Sequence, residues 1–340
     1  MNAIENAIEN VIENAIENAI ENAIENATDT AGNPLTLMVV HAHPDDECIG
    51  TGGALARYSA EGVRTVLVTA TLGDEGEIHD PELVEEEARP RLSVIREEEL
   101  RRAVQILGVS ELELLGYRDS GMIDTPANAH PDNFHNANFE EAVGRVVRLI
   151  RHHRPQVVVT YNEDGGYGHP DHLQCHRVTS AAYDAAGDPA RFPEAGAAWS
   201  PSKFYATAFS RELWEGLREE MQARGIPFGD ERQDEGADEA GKSAAGDEQG
   251  ADEDESWGQP EATITAFIDT SPYWATAREA LRQHRTQPLE FFLKLPDDLA
   301  ARVYARDFFI LLRATVETAR PENDLFAGLR ATAAAGVAHR

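Results

Sequence analysis

The apolar run Leu35-Thr36-Leu37-Met38-Val39-Val40 ends abruptly in His41-Ala42-His43-Pro44-Asp45-Asp46-Glu47. A run of this length and β-branched content reads as a buried strand, so the polar cluster emerges at its carboxyl end, where open α/β sheets place their ligand sites. Imidazoles and carboxylates packed this densely beside a hydrophobic strand are costly to bury unpartnered, and a divalent cation neutralises them. His43 and Asp46, three apart across a turn, can converge on one ion. The plainer alternative is a polar turn that caps the next helix, with Asp45 or Asp46 at the N-cap.

From Leu35 onward strands and helices alternate. Gly50 to Ser59 reads as a helix opened by a Gly-rich turn, and Arg64 to Thr69 as a second strand. This βαβ order implies parallel strands and a right-handed crossover. The loop Thr71-Leu72-Gly73-Asp74-Glu75-Gly76-Glu77, a charged helix over 83–107 and a short strand Leu112 to Leu115 follow, and Gly116 to Met122 forms a third strand-end loop. Residues 123–137, rich in Pro and Asn, read as a surface loop that leaves His130 and His135 solvated. The pattern predicts a Rossmann-like three-layer α/β fold: a parallel sheet, helices on both faces, and a metal site at the carboxyl edge of the strands.

A helix over 138–153 and the apolar strand Gln156 to Tyr161 lead into a second polar loop, Asn162 to His172, containing Gly165-Gly166-Tyr167-Gly168-His169-Pro170-Asp171-His172. Pro170 suits the first position of a helix running to about Ala186, which sets His169 and His172 one turn apart on one face. The glycines shape backbone here. No Walker lysine follows, and their spacing is not a dinucleotide fingerprint. A strand-end His-x-x-Asp and a second strand-end His offer two nitrogens and a carboxylate, which suits Zn²⁺ with a position open for water. The candidate ligands are His43, Asp46 and His172, with Asp45 as a spare carboxylate. Lys203 to Thr207 reads as a further strand, 210–224 as a helix, Ala262 to Ile268 as a strand and 272–285 as a helix, with Arg306 to Leu312 in a final small packing unit.

Composition narrows the partners. The formal charge of −31 argues against nucleic acid, which is bound by clustered Lys and Arg. Much of it is local: residues 1–27 contribute −6 and 230–255 contribute −10, leaving −15 for the rest. Cys48 and Cys175 make no disulfide framework and read as core thiols. No run approaches the roughly 20 apolar residues of a membrane span, and no signal peptide is visible, so the expected location is the cytoplasm. Residues 3–26 repeat Ala/Val-Ile-Glu-Asn with a period of four. On a helix the Ile stripe drifts by about 40° per repeat and Glu faces Glu, so the segment reads as a low-complexity tail, with a weak helical oligomerisation arm as the other reading. The expected organisation is a tail over 1–30, a catalytic core over 31–228, an acidic disordered insertion over 229–260, the rest of the catalytic domain over 261–328 and a tail over 329–340.

Together the two motifs, His-Pro-Asp-Asp-Glu after a first strand and Gly-Gly-Tyr-Gly-His-Pro-Asp-His after a later one, resemble the PIG-L/LmbE-like zinc N-deacetylases over roughly residues 35–328. The resemblance is nearest to the branch that acts on glucosamine-containing thiol cofactors, the N-acetylglucosaminyl-inositol deacetylases and conjugate amidases of mycothiol metabolism. Thr71 to Glu77, Arg118 to Met122, Gly168 and Gly50 are similar to the deacetylase pattern. The resemblance implies that His43, Asp46 and His172 bind zinc, that Asp45 is the general base, and that His169 and Tyr167 act on the tetrahedral intermediate. It also implies that Arg96 and Asp119 face the sugar, although Arg96 could instead pair with Glu97 or Glu99 on its own helix. His41 reads as a core or supporting histidine.

The expected reaction is removal of an N-acetyl group from an amino-sugar of the N-acetylglucosaminyl-inositol or N-acetylglucosaminyl-malate type, in mycothiol or bacillithiol biosynthesis. Zinc makes hydroxide available near neutral pH, Asp45 takes the proton, and the amine leaves protonated by Asp45 or by a His169 that Asp171 holds cationic. Fe²⁺ satisfies similar ligands. The alternatives are a thiol S-conjugate amidase and a catalytically silent sugar-binding domain. The expected partner is a small amino-sugar, with neither membrane nor nucleic acid and with a homo-oligomer left open.

Overall fold

The computed structural model describes residues 27–228 and 258–331. The repeat tail up to residue 26, residues 229–257 of the acidic insertion and residues 332–340 lie outside the described residues, and so do the expectations made for them.

Seven strands form one sheet: β1 (Thr36–His41), β2 (Arg64–Thr71), β3 (Glu111–Tyr117), β4 (Val157–Thr160), β5 (Lys203–Ala208), β6 (Ala266–Asp269) and β7 (Arg306–Ala314). Their order across the sheet is β3-β2-β1-β4-β5-β7-β6. β1 is buried along its whole length, as a central strand covered on both faces must be. Successive side chains of β1 enter opposite cores. Leu37 and Val39 pack with the helices α2 (Gly52–Ala60), α3 (Leu92–Leu107) and α7 (Trp274–Leu281), whereas Met38 and Val40 pack with α4 (Phe139–His153) and α5 (Pro170–Ala186). This alternation builds the three layers.

The expected parallel sheet holds from β3 to β5 and fails beyond it. β7 runs antiparallel to both β5 and β6, so the sheet is mixed. The Arg306 to Leu312 segment is therefore a strand of the main sheet and not a separate packing unit. Its Phe309 and Leu311 enter one core and Phe308 a smaller cluster, and its backbone pairs with β5 on one edge and β6 on the other. The expected helix over 83–107 is also interrupted. Pro90 has no N–H to continue the helical ladder, Arg91 leaves helical backbone at φ −126°, and the segment divides into Glu85–Ala88, a tight turn Arg89–Arg91 and α3. The Ala262 to Ile268 strand is shorter than expected, beginning as a turn at Glu261–Thr263.

Strand order reverses at β1: β2 and β3 lie on one side, β4 and β5 on the other. The crevice between the carboxyl ends of β1 and β4 is thus the topological switch point, where open α/β sheets bind ligands. It is also where the two polar motifs emerge. No helix among the described residues is long and apolar enough to cross a membrane.

β7 is tied to the opposite layer by Asp307, whose Oδ2 accepts the Ala54 N–H of α2 at 2.6 Å. That N–H is one of the first-turn donors with no intrahelical acceptor. Burial pushes the Asp307 carboxyl up to about 7 against the opposing pull of the Ala54 N–H. A carboxyl with a raised folded-state pKa contributes stability that is complete below about pH 4 and is lost as pH rises through the folded value. Asp307→Asn keeps the acceptor and removes the titration. Relative to the parent, its stability measured by chemical unfolding should gain on the order of 2 kcal/mol between about pH 5.5 and 7; a pH-independent difference would contradict this.

Candidate metal centre

The two motif loops meet at the switch point. The short helix α1 (Asp46–Gly50) begins directly after β1 and Asp45, and Asp46 folds back so that its Oδ2 accepts the His43 N–H at 2.8 Å. Asp45 occupies the N-cap position but makes no side-chain capping bond, which removes the plain capping reading. On the other loop His172 lies in the first turn of α5, with Pro170 at the helix start as the spacing predicts.

Hydrogen bonds fix which nitrogen each histidine presents. His172 Nδ1 donates to the Gly165 carbonyl at 2.9 Å, leaving Nε2 as a bare lone pair. His43 Nε2 faces Asp171 Oδ2 at 3.2 Å and Asp119 Oδ1 at 3.6 Å, so it carries the proton and Nδ1 is the bare atom. These two bare nitrogens lie 3.3 Å apart, and the Asp46 carboxylate stands 3.4 Å from each. Three mutually repelling lone-pair donors converge only around a shared cation or proton. A tetrahedral Zn²⁺ with bonds of roughly 2.0–2.1 Å has donor-to-donor edges of about 3.3 Å, the spacing between the two nitrogens, and the carboxylate reaches His43 through Oδ2 and His172 through Oδ1. The residues present therefore fit such an ion.

Second-layer contacts reinforce this polarity. Asp171 is fully buried, and its carboxylate also accepts the Ser120 backbone N–H at 3.0 Å and the Ser120 hydroxyl. Asp119 accepts the N–H groups of Glu75 at 3.1 Å and Gly121 at 2.9 Å. Burial opposes charge on His43, yet Asp119, Asp171 and Asp46 together hold its pKa well above the ordinary value, so that without a cation the ring takes a second proton at Nδ1, the atom a bound ion would occupy. Burial likewise opposes charge on Asp46, and His172 and His43 outweigh it and hold the carboxyl well below the usual range. Gly165 is required where it stands. It has φ +65°, and a Cβ there would lie 2.9 Å from His172 Cβ and 3.0 Å from the Leu173 nitrogen.

Asp45 lies beside this cluster without joining it. Its backbone has φ 117°, a strained value for a residue with a side chain. Burial pushes its carboxyl up to about 6, opposed by Arg96 and reinforced by Asp46. Arg96 is buried, donates to the carbonyls of Pro44 at 2.6 Å and Gly73 at 2.9 Å, and stands 3.4 Å from Asp45 Oδ2. It pairs with neither helical neighbour: Glu97 holds Arg101, and Glu99 holds Thr286.

His169 is the N-cap of α5, with Nδ1 accepting the Asp171 N–H at 3.1 Å. Burial, with His43 and His172 nearby, pushes its pKa down to about 2, so the ring is a neutral Nε2–H donor. The expectation that Asp171 would hold it cationic is not met, because that carboxylate faces His43 and Ser120. Tyr167 is 58% exposed at the mouth, its ring edge-on to His172 at 4.9 Å. His41 stays out of the cluster: its Nε2 pairs with Thr51 Oγ1 at 3.0 Å, and burial pushes its pKa down to about 4. Sequence reasoning missed Ser120, the supporting role of Asp171, and Tyr161, whose ring stacks on His172 at 4.1 Å while its hydroxyl oxygen accepts the Ala42 N–H. It also missed His284, whose Nε2 lies 2.7 Å from Glu47 Oε1.

A family model described as PIG-L, GlcNAc-PI de-N-acetylase, matches residues 38–183, from β1 into α5. Over 303 residues the chain is 41% identical to a 1D-myo-inositol 2-acetamido-2-deoxy-alpha-D-glucopyranoside deacetylase from Catenulispora acidiphila, covering 86% of this chain and 89% of that protein. A deacetylase of the same name from Thermobifida fusca is 41% identical over 306 residues, covering 87% of this chain and 100% of its own length. Among solved structures, N,N'-diacetylchitobiose deacetylase from Pyrococcus horikoshii shares the fold at a TM-score of 0.53 and 17% identity, covering 92% of this chain and 94% of that one. Both loops of the switch point fall inside the matched segment, and the chain belongs to the PIG-L, GlcNAc-PI de-N-acetylase, family.

Proposed function

We propose that this protein is a metal-dependent amide hydrolase that removes the acetyl group from the glucosamine nitrogen of 1D-myo-inositol 2-acetamido-2-deoxy-α-D-glucopyranoside, releasing acetate and the free amine. The observation that carries the reading is the convergence of His43 Nδ1, His172 Nε2 and the Asp46 carboxylate within 3.3–3.4 Å beside a half-buried Asp45 that stays out of the cluster. The names of relatives that match nearly their full length supply the substrate class. The reaction belongs to low-molecular-weight thiol biosynthesis, as the resemblance to that branch of the family implies.

His43, Asp46 and His172 hold the ion, with zinc favoured by the two-nitrogen, one-oxygen donor set and Fe²⁺ the other ion such donors accept. When bound, the cation supplies Lewis acidity, polarising a carbonyl oxygen and lowering the pKa of water to about 7. Asp45 is the general base, and Arg96 holds its carboxylate in place without capturing it in a tight bidentate pair. Negative charge grows on the amide oxygen as the carbonyl is attacked, and Tyr167 stands at the mouth to donate to it. The nitrogen must leave protonated; Asp45, carrying the proton it has taken, and the Nε2–H of His169 are the groups that address it. The resemblance gives Asp119 and Arg96 to the sugar; both are buried, so they act on it through the loops they hold, Asp119 through the N–H groups of Glu75 and Gly121 and Arg96 through the carbonyls of Pro44 and Gly73.

Release of the free glucosamine amine should be measured on N-acetylglucosaminyl-inositol, N-acetylglucosaminyl-malate and a thiol S-conjugate, with and without a chelator. Chelator-sensitive turnover of the first is expected to exceed that of the others; turnover confined to the S-conjugate would replace the deacetylase reading with the amidase. Asp45→Asn should retain its metal and lose about 10²–10⁴-fold in kcat, and near-normal turnover would refute the base assignment. Gly165→Ala drives a Cβ into the His172 backbone and should weaken zinc affinity about 10–100-fold in competition with a chromophoric chelator. Unchanged affinity would show that the Gly165 carbonyl does not orient His172.

A further inference from the structure

Glu47 closes the first motif, yet no step above uses it. It is fully buried beside the metal centre, and each of its carboxylate oxygens has a separate task. Oε2 accepts the Asp45 N–H at 2.9 Å, and Oε1 accepts from His284 Nε2 at 2.7 Å and from Cys48 Sγ at 3.0 Å. Asp45 needs such a restraint, because φ 117° is a conformation that a residue with a side chain leaves unless its surroundings hold it. The Asp45 side chain has one close cationic neighbour, Arg96, at 3.4 Å, so the tighter hold on this residue is through its backbone.

His284 is fully buried at the end of the segment after α7, and its Nδ1 has no partner among the described residues. Among the described residues its side chain makes one hydrogen bond, to Glu47. Two residues on, Thr286 donates its N–H at 3.0 Å and its hydroxyl at 2.7 Å to Glu99, one turn beyond Arg96 on α3. One short segment, 237 residues from Glu47 in sequence, thus braces both the backbone of Asp45 and the helix that supplies its arginine. Glu47, Cys48 and His284 also have donor atoms within 4.8 Å of one another, as metal ligands would. Here, however, the thiol and the imidazole each direct a hydrogen at the carboxylate, an arrangement that needs no ion.

We propose that Glu47 and His284 are positioning residues for the base: the His284–Glu47 hydrogen bond fixes the carboxylate that pins the Asp45 N–H, and so holds Asp45 in its strained backbone conformation. The proposal rests on the reading of Asp45 as general base. Its effect is on placement, and a displacement of about 1 Å at a reacting group costs about 10²-fold in rate.

The test uses the full chain loaded with zinc and the variants Glu47→Ala, His284→Ala and His284→Gln. Gln can donate an N–H to Glu47 as the imidazole does. His284→Ala and Glu47→Ala should each lower kcat about 100-fold with KM and zinc content within about twofold of the parent, and His284→Gln should recover at least tenfold of that loss. Amide hydrogen exchange, read on a peptide spanning residues 42–48, should speed up in the two alanine variants and return towards the parent rate in His284→Gln. If Glu47→Ala does not fold, the two His284 variants decide the matter. Parent-like kcat in His284→Ala, or equal losses in His284→Ala and His284→Gln at equal zinc content, would overturn the proposal. The exchange readout does not depend on turnover: an inactive parent protein would count against the deacetylase reading, while unchanged exchange in His284→Ala would count against the positioning role alone.

Discussion

Three carboxylates, Asp46, Asp119 and Asp171, surround a single buried imidazole, that of His43. Removing that much negative charge from water is expensive, and it persists only where positive charge is returned to the same place. Asp119 and Asp171 fix the proton on Nε2 and so turn Nδ1 inward, towards Asp46 and the bare Nε2 of His172. The rest of the arrangement exists to keep these donors in register, because the cluster is self-repelling until a cation is shared among its members.

The fold meets that requirement by placing the cluster at the one crevice where it is braced from every side. β1 and β4 are neighbours whose continuations diverge, so the His43–Asp46 turn and the start of α5 face each other across a gap set by the sheet. Gly165 and Tyr161 orient His172 from the β4 side, and Ser120 at the end of β3 secures Asp171. Arg96 ties the loops after β1 and β2 together through the carbonyls of Pro44 and Gly73. Asp45 is kept apart from this economy of charge. Half-buried and raised in pKa beside Asp46, it is the carboxylate proposed as the base.

Local features made much of this legible in the sequence. The unbroken apolar run of β1, the polar motif at its end, and Pro170 with His169 and His172 around it each carry their information within a few residues, and the structure brings His43, Asp46 and His172 together. What sequence reasoning missed depends on partners remote in the chain. Nothing near Arg306 to Leu312 announces that it inserts between β5 and β6, because antiparallel pairing with a strand a hundred residues earlier has no local signature. The hydrogen bond of Glu47 to His284 has no local signature, and Asp171, two residues from His169, turns its carboxylate to His43 and Ser120, because proximity in sequence is a poor guide to where a helical carboxylate points.

The central claim is that His43 and His172, through the nitrogens their hydrogen bonds leave bare, share one ion with Asp46. Anomalous scattering at the zinc edge from crystals of zinc-loaded protein tests this directly. The account predicts a single strong peak per chain, in contact with His43 Nδ1, His172 Nε2 and the Asp46 carboxylate. A peak on Glu47, Cys48 and His284 instead, or none between the two histidines, would contradict it.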